Sequence, residues 1–504
     1  MRSFIHTLFA LFIVQFCWTQ TLKDVVGHTL PQLNGSARFT AMAGSFGGLG
    51  GDLTAISHYP AAGAVFLHSE VGVGVDFVEN ATKTNYFGGD LEQENSNFNF
   101  NQIGFNFVFN NQDEESEWNR ISIGFNINKV SNFNNNYNAQ GFNDQNGLDS
   151  YFLSYADGIS QGEIELIDNE TVSEAYGEIG SFYGFGGQQA FLGFQSYIIN
   201  PDLNSLADDR YVSNALYDRL YHDYQVDESG FHRKYTLNIG GLYNDILFLG
   251  ANFNYHRMET LRIESINEFD YALNSNLVES YFENELFSYG DGFSFQFGAI
   301  LKVKNARLGL TYDSPQWLTI NEEIEQYIET IHYVSDSSQK DIISPDFVNI
   351  YEPYSLKLPA KLTTSFAYIF GKSGLISIDY STQNFENIRY SDQGNSSYLV
   401  TLNEDIGSSF KNIQQLRIGA EYRIKTISLR AGYFSIGSAF KNINEPNTGF
   451  TTGIGFDFGN KTLNLGLVFQ EQNSQYQLLN RGLTNQYNLF ENLTQFVISY
   501  NIKL

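Results

Sequence analysis

From Phe450 to Phe469 the chain alternates. Phe450, Thr452, Ile454, Phe456 and Phe458 are separated by Thr451, Gly453, Gly455 and Asp457. After Gly459-Asn460-Lys461 the alternation restarts, with Leu463, Leu465, Leu467 and Phe469 against Asn464, Gly466, Val468 and Gln470. Period-two patterning on both sides of a Gly-Asn turn predicts a β-hairpin. Its oily face meets either the core of a soluble sandwich or the lipid around a barrel. In a barrel the Gly/Asp/Asn face lines the interior, and a small change there, Gly466→Ser, is expected to be silent.

Runs of this kind recur about fourteen times, including Val71–Phe77, Ile103–Phe109, Leu247–Tyr255, Leu356–Phe370, Leu416–Ile424 and Phe496–Leu504. Each has about the length a tilted strand needs to cross a bilayer. The links sort by parity. Those after even-numbered strands are short, such as Lys304–Asn305, Lys425 and Gly459–Lys461, and the others are long, up to the stretch at about 130–231. A sandwich gives no reason for such sorting, whereas an outer-membrane barrel has short turns on one side and long loops on the other. The fold class predicted is all-β: a 14-stranded antiparallel transmembrane barrel in the outer membrane of a Gram-negative cell. The bilayer lipid and lipopolysaccharide are its surroundings, and its last strand is the signal for barrel-assembly machinery.

Composition fits this picture. The 504 residues are 17% charged and 16% aromatic, with 45 Gly and 8 Pro. A mean hydropathy of -0.27 is what inward polar residues give when they dilute outward apolar ones. Residues 1–19 pair Arg2 with a short apolar run and read as a signal peptide. The single cysteine, Cys17, lies there behind Phe16, which excludes a lipoprotein signal and leaves no thiol chemistry. A net charge of -27 excludes nucleic acid as a partner. No histidine pair has metal spacing and no G-x-S-x-G elbow occurs, so neither enzyme activity nor a cofactor is expected. His222 and His232 keep open a rival reading, a haem-binding surface receptor. A barrel serving as partner or shuttle of a secretion system is another.

Residues 20–64 precede the first strand of the 65–504 barrel and read as a compact hatch. Gly44, Gly47, Gly48, Gly50 and Gly51 permit tight turns, and with no following Lys they are not a phosphate loop. Gly50-Gly51-Asp52 and then Tyr59-Pro60-Ala61 resemble the hatch motif of the FadL-type outer-membrane transporters of hydrophobic compounds, in particular their Bacteroidetes members. Tyr59 stands where that motif has Asn. RLGLTYDSPQW (307–317) and LPAKLTTSFAYIFGKSGLISIDY (358–380) extend the resemblance across the barrel. It implies passive uptake of a hydrophobic small molecule such as a long-chain fatty acid. It also marks Gly50, Gly51, Asp52, Tyr59, Pro60 and Ala61 as hatch or gate residues. Pro60 fixes a bend and Ala61 leaves room beside it, so the outlet of the path is expected there; the alternative is that these residues only let the chain squeeze past the wall.

Two further groups stand out. Arg417, Glu421, Arg423 and Arg430 fall on neighbouring strands and predict an inward charge network, structural or transport-related. In the long 130–231 stretch, Phe191, Phe194 and Ile198 have helical spacing within Gln188–Ile199. Leu216 and Leu220 share a second such pattern over Arg210–His222. These faces either pack on each other as a cap or frame a ligand groove. NEEIEQYIETIHYV (321–334) reads as strand or helix.

Overall fold

A computed structural model describes residues 32–504 except 114, 335, 336, 395 and 444. The expected signal peptide and the first residues of the expected hatch lie outside the described residues. Fourteen antiparallel strands form one closed ladder. They are β1 (Glu70–Tyr86), β2 (Gly89–Asn110), β3 (Trp118–Asn132, continued by Asn135–Asn143), β4 (Leu220–Tyr243), β5 (Leu247–Phe269) and β6 (Leu277–Val303). Then come β7 (Ala306–Asp313, continued by Gln316–Val334), β8 (Tyr354–Leu358, continued by Lys361–Phe370), β9 (Gly374–Asn384) and β10 (Asn412–Ile424). The last are β11 (Ile427–Ile436), β12 (Asn447–Asp457), β13 (Lys461–Gln477) and β14 (Gln486–Lys503). Closure is between β1 and β14, from Glu70↔Lys503 to Asn85↔Asn488. The opening hairpin is β12–β13, paired from Thr448↔Glu471 to Asp457↔Thr462. Phe450, Phe458 and Phe469 are exposed on its outer face while Thr451 and Asn464 are buried inside. Among the described residues no helix is long and apolar enough to cross a membrane, so strands supply the apolar band.

Three local features depart from the sequence reading. First, the stretch between Phe77 and Ile103 is not a loop. Both strands continue to a two-residue turn at Phe87-Gly88, both with positive φ. Their upper parts carry Thr, Asn, Glu and Gln on both faces, so no oily alternation marks them. Second, Arg210–His222 is not helical. Tyr211–Ser213 pairs with Ile199–Pro201, and Leu220, His222, Tyr224 and Val226 begin β4 with every second side chain buried. The other expected helix, Gln188–Ile199, exists in part: the observed helix is Val172–Gln195, kinked at Gly184 where φ is 65°, and it ends before Ile198, with Ile199 already in a strand. Its start is set by a capping box between Thr171 and Glu174. Stretch 321–334 is strand, part of β7.

Third, β7 and β8 break together, at 314–315 and 359–360, each break holding a proline (Pro315, Pro359). Below the breaks Leu308, Leu310, Leu362 and Phe366 face outward and are exposed. Above them Leu318, Ile320, Leu356 and Leu358 are at most 2% exposed. β7 pairs Asp313 with Gln296 below the break but Trp317 with Phe293 above it, one residue out of step. A one-residue slip sends every following side chain to the other face. So Leu356–Phe370, which reads as one lipid-facing run, turns its upper oily residues into the lumen.

Candidate functional site: a plugged lumen and a path through its wall

Residues 32–66 fill the half of the lumen nearest the short turns. They form helices α1 (Ala37–Ala41) and α2 (Leu53–His58) and a 3₁₀ turn, Pro60–Val65. Gly50 and Gly51 adopt φ of 61° and 67°, the left-handed region that a side chain disfavours. The reversal they make delivers Asp52 to the start of α2. Its Oδ1 accepts from Thr54 N at 2.8 Å and Ala55 N at 3.2 Å, and its Oδ2 accepts from Ser36 Oγ at 2.7 Å, tying the cap of α2 to that of α1. Tyr59 donates to Gly44 O at 2.9 Å. The Gly-Gly-Asp unit is thus a fold determinant of the hatch.

The wall grips this plug in two ways. Inward side chains donate to its backbone carbonyls: Asn126 to Leu53, Asn238 to Pro60, Asn252 to Ile56 and Arg307 to Leu49, at 2.6–3.0 Å. Inward glycines let it approach. A Cβ on Gly250 would lie 2.2 Å from Pro60 O, one on Gly309 2.3 Å from Gly47 O, and one on Gly419 2.6 Å from Met42 O. Gly466 belongs to the same ring: its Cβ would stand 2.9 Å from Ala37 O. Gly466→Ser is therefore not the silent change that an open lumen would allow.

The outlet expected beside Ala61 is closed. Ala61 is 2% exposed and packs with Ala64, Leu242, Phe248 and Ile300. Gly298 and Gly250 press on its peptide, and Asn238 fills the place of a Cβ on Gly63. These small residues let the chain squeeze past the wall. Ala61→Trp should accordingly lower barrel yield and abolish heat-modifiable gel mobility. A fully assembled variant that merely stops uptake would restore the outlet.

The charge network forms around one carboxylate. Glu421 accepts from Arg423 at 2.6 Å and from Arg430 at 2.7 Å. A third partner, unread in the sequence, is Arg38 of α1 at 3.1 Å, which also donates to Gly51 O at 2.8 Å. Arg417 stands apart and donates to Ala43 O at 3.0 Å. The cluster holds the hatch to β10 and β11. Nothing in the local order of the chain announces a partner nearly four hundred residues away.

The cap expected from two packed helices forms around one, Val172–Gln195, since Arg210–His222 is not helical. Phe191 and Ile198 are buried in an apolar cluster with Leu148, Phe152 and Phe282, and Phe194 packs against it. Leu220 is buried and Leu216 is exposed. Phe191, Phe194 and Ile198 pack the cap while Leu216 faces outward, and the open space lies elsewhere.

A cavity of 650 Å³ sits under the cap, lined by Tyr151, Phe185, Leu286, Ile324, Leu402 and Phe440 among others. Leu402 belongs to a helix the alternation did not mark, Ser397–Ser409 between β9 and β10. Beneath it, Leu318, Ile320, Leu356, Leu399 and Ile406 merge with Phe39, Met42 and Phe46 of the hatch into one packed apolar cluster. Tyr476 lines both this cavity and a second one of 190 Å³. The second lies where the wall is stepped. β2 and β3 share backbone pairing only from Asn110↔Arg120 up to Gln102↔Asn128. Above that, β3 breaks at Phe133-Asn134. Its continuation pairs with β4 and lies over the inner face of the β1–β2 hairpin, where Asn138 O accepts from Thr84 and Asn136 O from Asn95. Gly230 makes the step possible: at φ 136° a Cβ would strike Glu259 O. Asn97, Asn134, Asn135 and Glu228 line the second cavity and also a 370 Å³ groove on the outer face, which Leu261 and Ile263 floor. The three spaces thus adjoin in series, from the mouth to the outer face of the wall, each sharing lining side chains with the next.

His222 and His232 are already engaged. His222 lies 3.0 Å from Glu268 and 2.9 Å from Tyr86, fully buried, and His232 contacts His256 at 3.1 Å. No group of three metal-ligating side chains occurs among the described residues.

The closed 14-stranded ladder and the plug define a transmembrane barrel of the outer-membrane kind with an N-terminal hatch. Its fold is FadL-type. A FadL homologue of Pseudomonas aeruginosa matches 94% of this chain and 99% of its own at 12% identity and a TM-score of 0.55. The toluene transporter TodX of Pseudomonas putida matches 94% and 100% at 12% identity and a TM-score of 0.51. No protein-family model and no curated protein sequence matches.

Proposed function

We propose that this barrel takes up hydrophobic small molecules across the cell surface by passive diffusion, and that they leave sideways through the stepped wall instead of past the hatch. The observation that carries this reading is a series of three adjoining spaces, the first two bordered in common by Tyr476 and the last two by Asn97. The hatch route is packed shut at Ala61, and a passive carrier needs some continuous space. Apolar and aromatic side chains such as Phe185, Leu286, Ile324 and Phe440 at the mouth are the usual contacts for such a ligand, and they stand there among polar and charged ones, including Arg262, Glu264 and Lys441. The FadL-type fold and the toluene transported by one structural neighbour agree with this substrate class. Long-chain fatty acids are the members of the class that the sequence resemblance implies. The haem reading loses support because both candidate imidazoles are engaged, and the through-wall path favours transport over a purely partner role.

Asn97→Trp is the direct test. Asn97 borders both the inner cavity and the outer groove, so an indole there should fill the junction. Uptake of a fluorescent hydrophobic probe should fall to the level of cells lacking the barrel, with assembly unchanged. Wild-type uptake by an assembled Asn97→Trp barrel would remove the wall path.

A further inference from the structure

The space at the step is not evenly greasy. Val78, Leu489 and Leu493 line the 190 Å³ cavity interspersed with Asn80, Asn97, Asn134, Asn135, Gln470 and Gln472. Glu228 and Glu491 complete it, and Asp227 adds another carboxylate in the outer groove; among the described residues no Lys, Arg or His lines either space, and Arg262 of the adjoining cavity reaches Glu228 at 3.8 Å. Glu491 Oε1 is already held by Asn80 at 3.2 Å and Asn135 at 3.0 Å. The groove opens at the rim of the apolar band, just above exposed Phe98 and Phe100 on β2 and above the exposed cross-strand pair Arg257↔Asp291.

We infer that the ligand is an amphiphile whose head is uncharged and rich in hydroxyl groups, a glycoside or polyol on an alkyl tail. This rests on the uptake reading above and narrows its substrate class. Amides offer paired donors and acceptors, and carboxylates accept only. Hydroxyl groups satisfy both at once. A carboxylate head would meet the like charge of Glu228 and Glu491 and would have to compete for Arg262, which Glu228 at 3.8 Å and Glu264 at 3.6 Å already share, at a cost that grows as water is excluded. A bare hydrocarbon would leave the amides unpaired while displacing their water. Val78, Leu489 and Leu493 give the tail its contacts, and the exit at the rim leaves the head at the level of the lipid headgroups.

The test uses three fluorescent probes with one dodecyl tail and a glucoside, carboxylate or trimethylammonium head. Uptake is measured in cells with and without the assembled barrel. The glucoside should enter about tenfold faster than the carboxylate. Gln472→Leu should lower the glucoside rate more than the carboxylate rate, and Glu491→Gln should raise the carboxylate rate. Assembly of each variant is read from heat-modifiable mobility. Equal or faster carboxylate uptake, or a Gln472→Leu barrel with an unaltered ratio, overturns the neutral head and leaves uptake standing. Fastest entry of the ammonium probe also overturns it. If no probe exceeds the rate of cells without the barrel, the uptake reading falls with it.

Discussion

Gly250→Val should unseat the hatch while leaving the barrel closed. Gly250 lies on β5 opposite Gly298 of β6, and a Cβ there would meet Pro60 O at 2.2 Å and Pro60 C at 2.3 Å. Both contacts are backbone, so no rotamer relieves them. Pro60 cannot retreat cheaply, because its carbonyl accepts from Asn238 at 2.9 Å and its ring fixes φ. Overpacking of this kind costs about 1–3 kcal/mol where neighbours adjust, and a rigid turn on a rigid wall adjusts least. The strand itself tolerates valine. The expected result is a heat-modifiable barrel whose residues 32–66 are cut by added protease and whose ion conductance rises. Ala251→Val, one residue along on the lipid side, should change neither. Protease resistance and conductance equal to wild type in Gly250→Val would show that the plug is not seated on this glycine.

That glycine also marks the limit of what the sequence discloses. Alternation and loop parity reveal all fourteen crossings because lipid imposes one rule on every strand. The same alternation leaves the interior unspecified. Gly250 and Gly466 read as filler on a polar face, since their partners Pro60 and Ala37 are distant in the chain. The inward turn of Leu318 and Leu356 is concealed by Pro315 and Pro359, whose breaks shift the phase by one residue. In the tall β1–β2 hairpin the outer face meets water and the inner face is buried through polar residues such as Asn80, Thr82 and Thr84, so it shows no oily period and reads as a loop. The Gly-Gly-Asp of the hatch is legible because its chemistry is local: two left-handed residues and a helix cap. The ligand path is not legible, because it arises from strands that fail to pair.

Glu421→Gln tests how the hatch is held. Glu421 has no exposed side-chain surface, Arg430 has 5% and Arg38 19%, whereas Arg423 is 48% exposed. Removing the carboxylate leaves Arg430 and Arg38 facing each other with little water to receive them, while Arg423 can swing outward. Breaking a buried ion pair by deleting one partner costs about 3–5 kcal/mol; an exposed pair is worth about 0–1 kcal/mol. The amide keeps the shape and still accepts one hydrogen bond, so the loss measured is chiefly that of charge. Glu421→Gln should therefore lower the urea midpoint for release of the hatch, followed by protease cutting in residues 32–66, far more than Arg423→Gln does. Added salt should close little of that gap, since ions screen poorly inside a filled lumen. Equal effects of the two substitutions would mean that Glu421 serves β10 and β11 alone and that Arg38 contributes nothing to holding the plug.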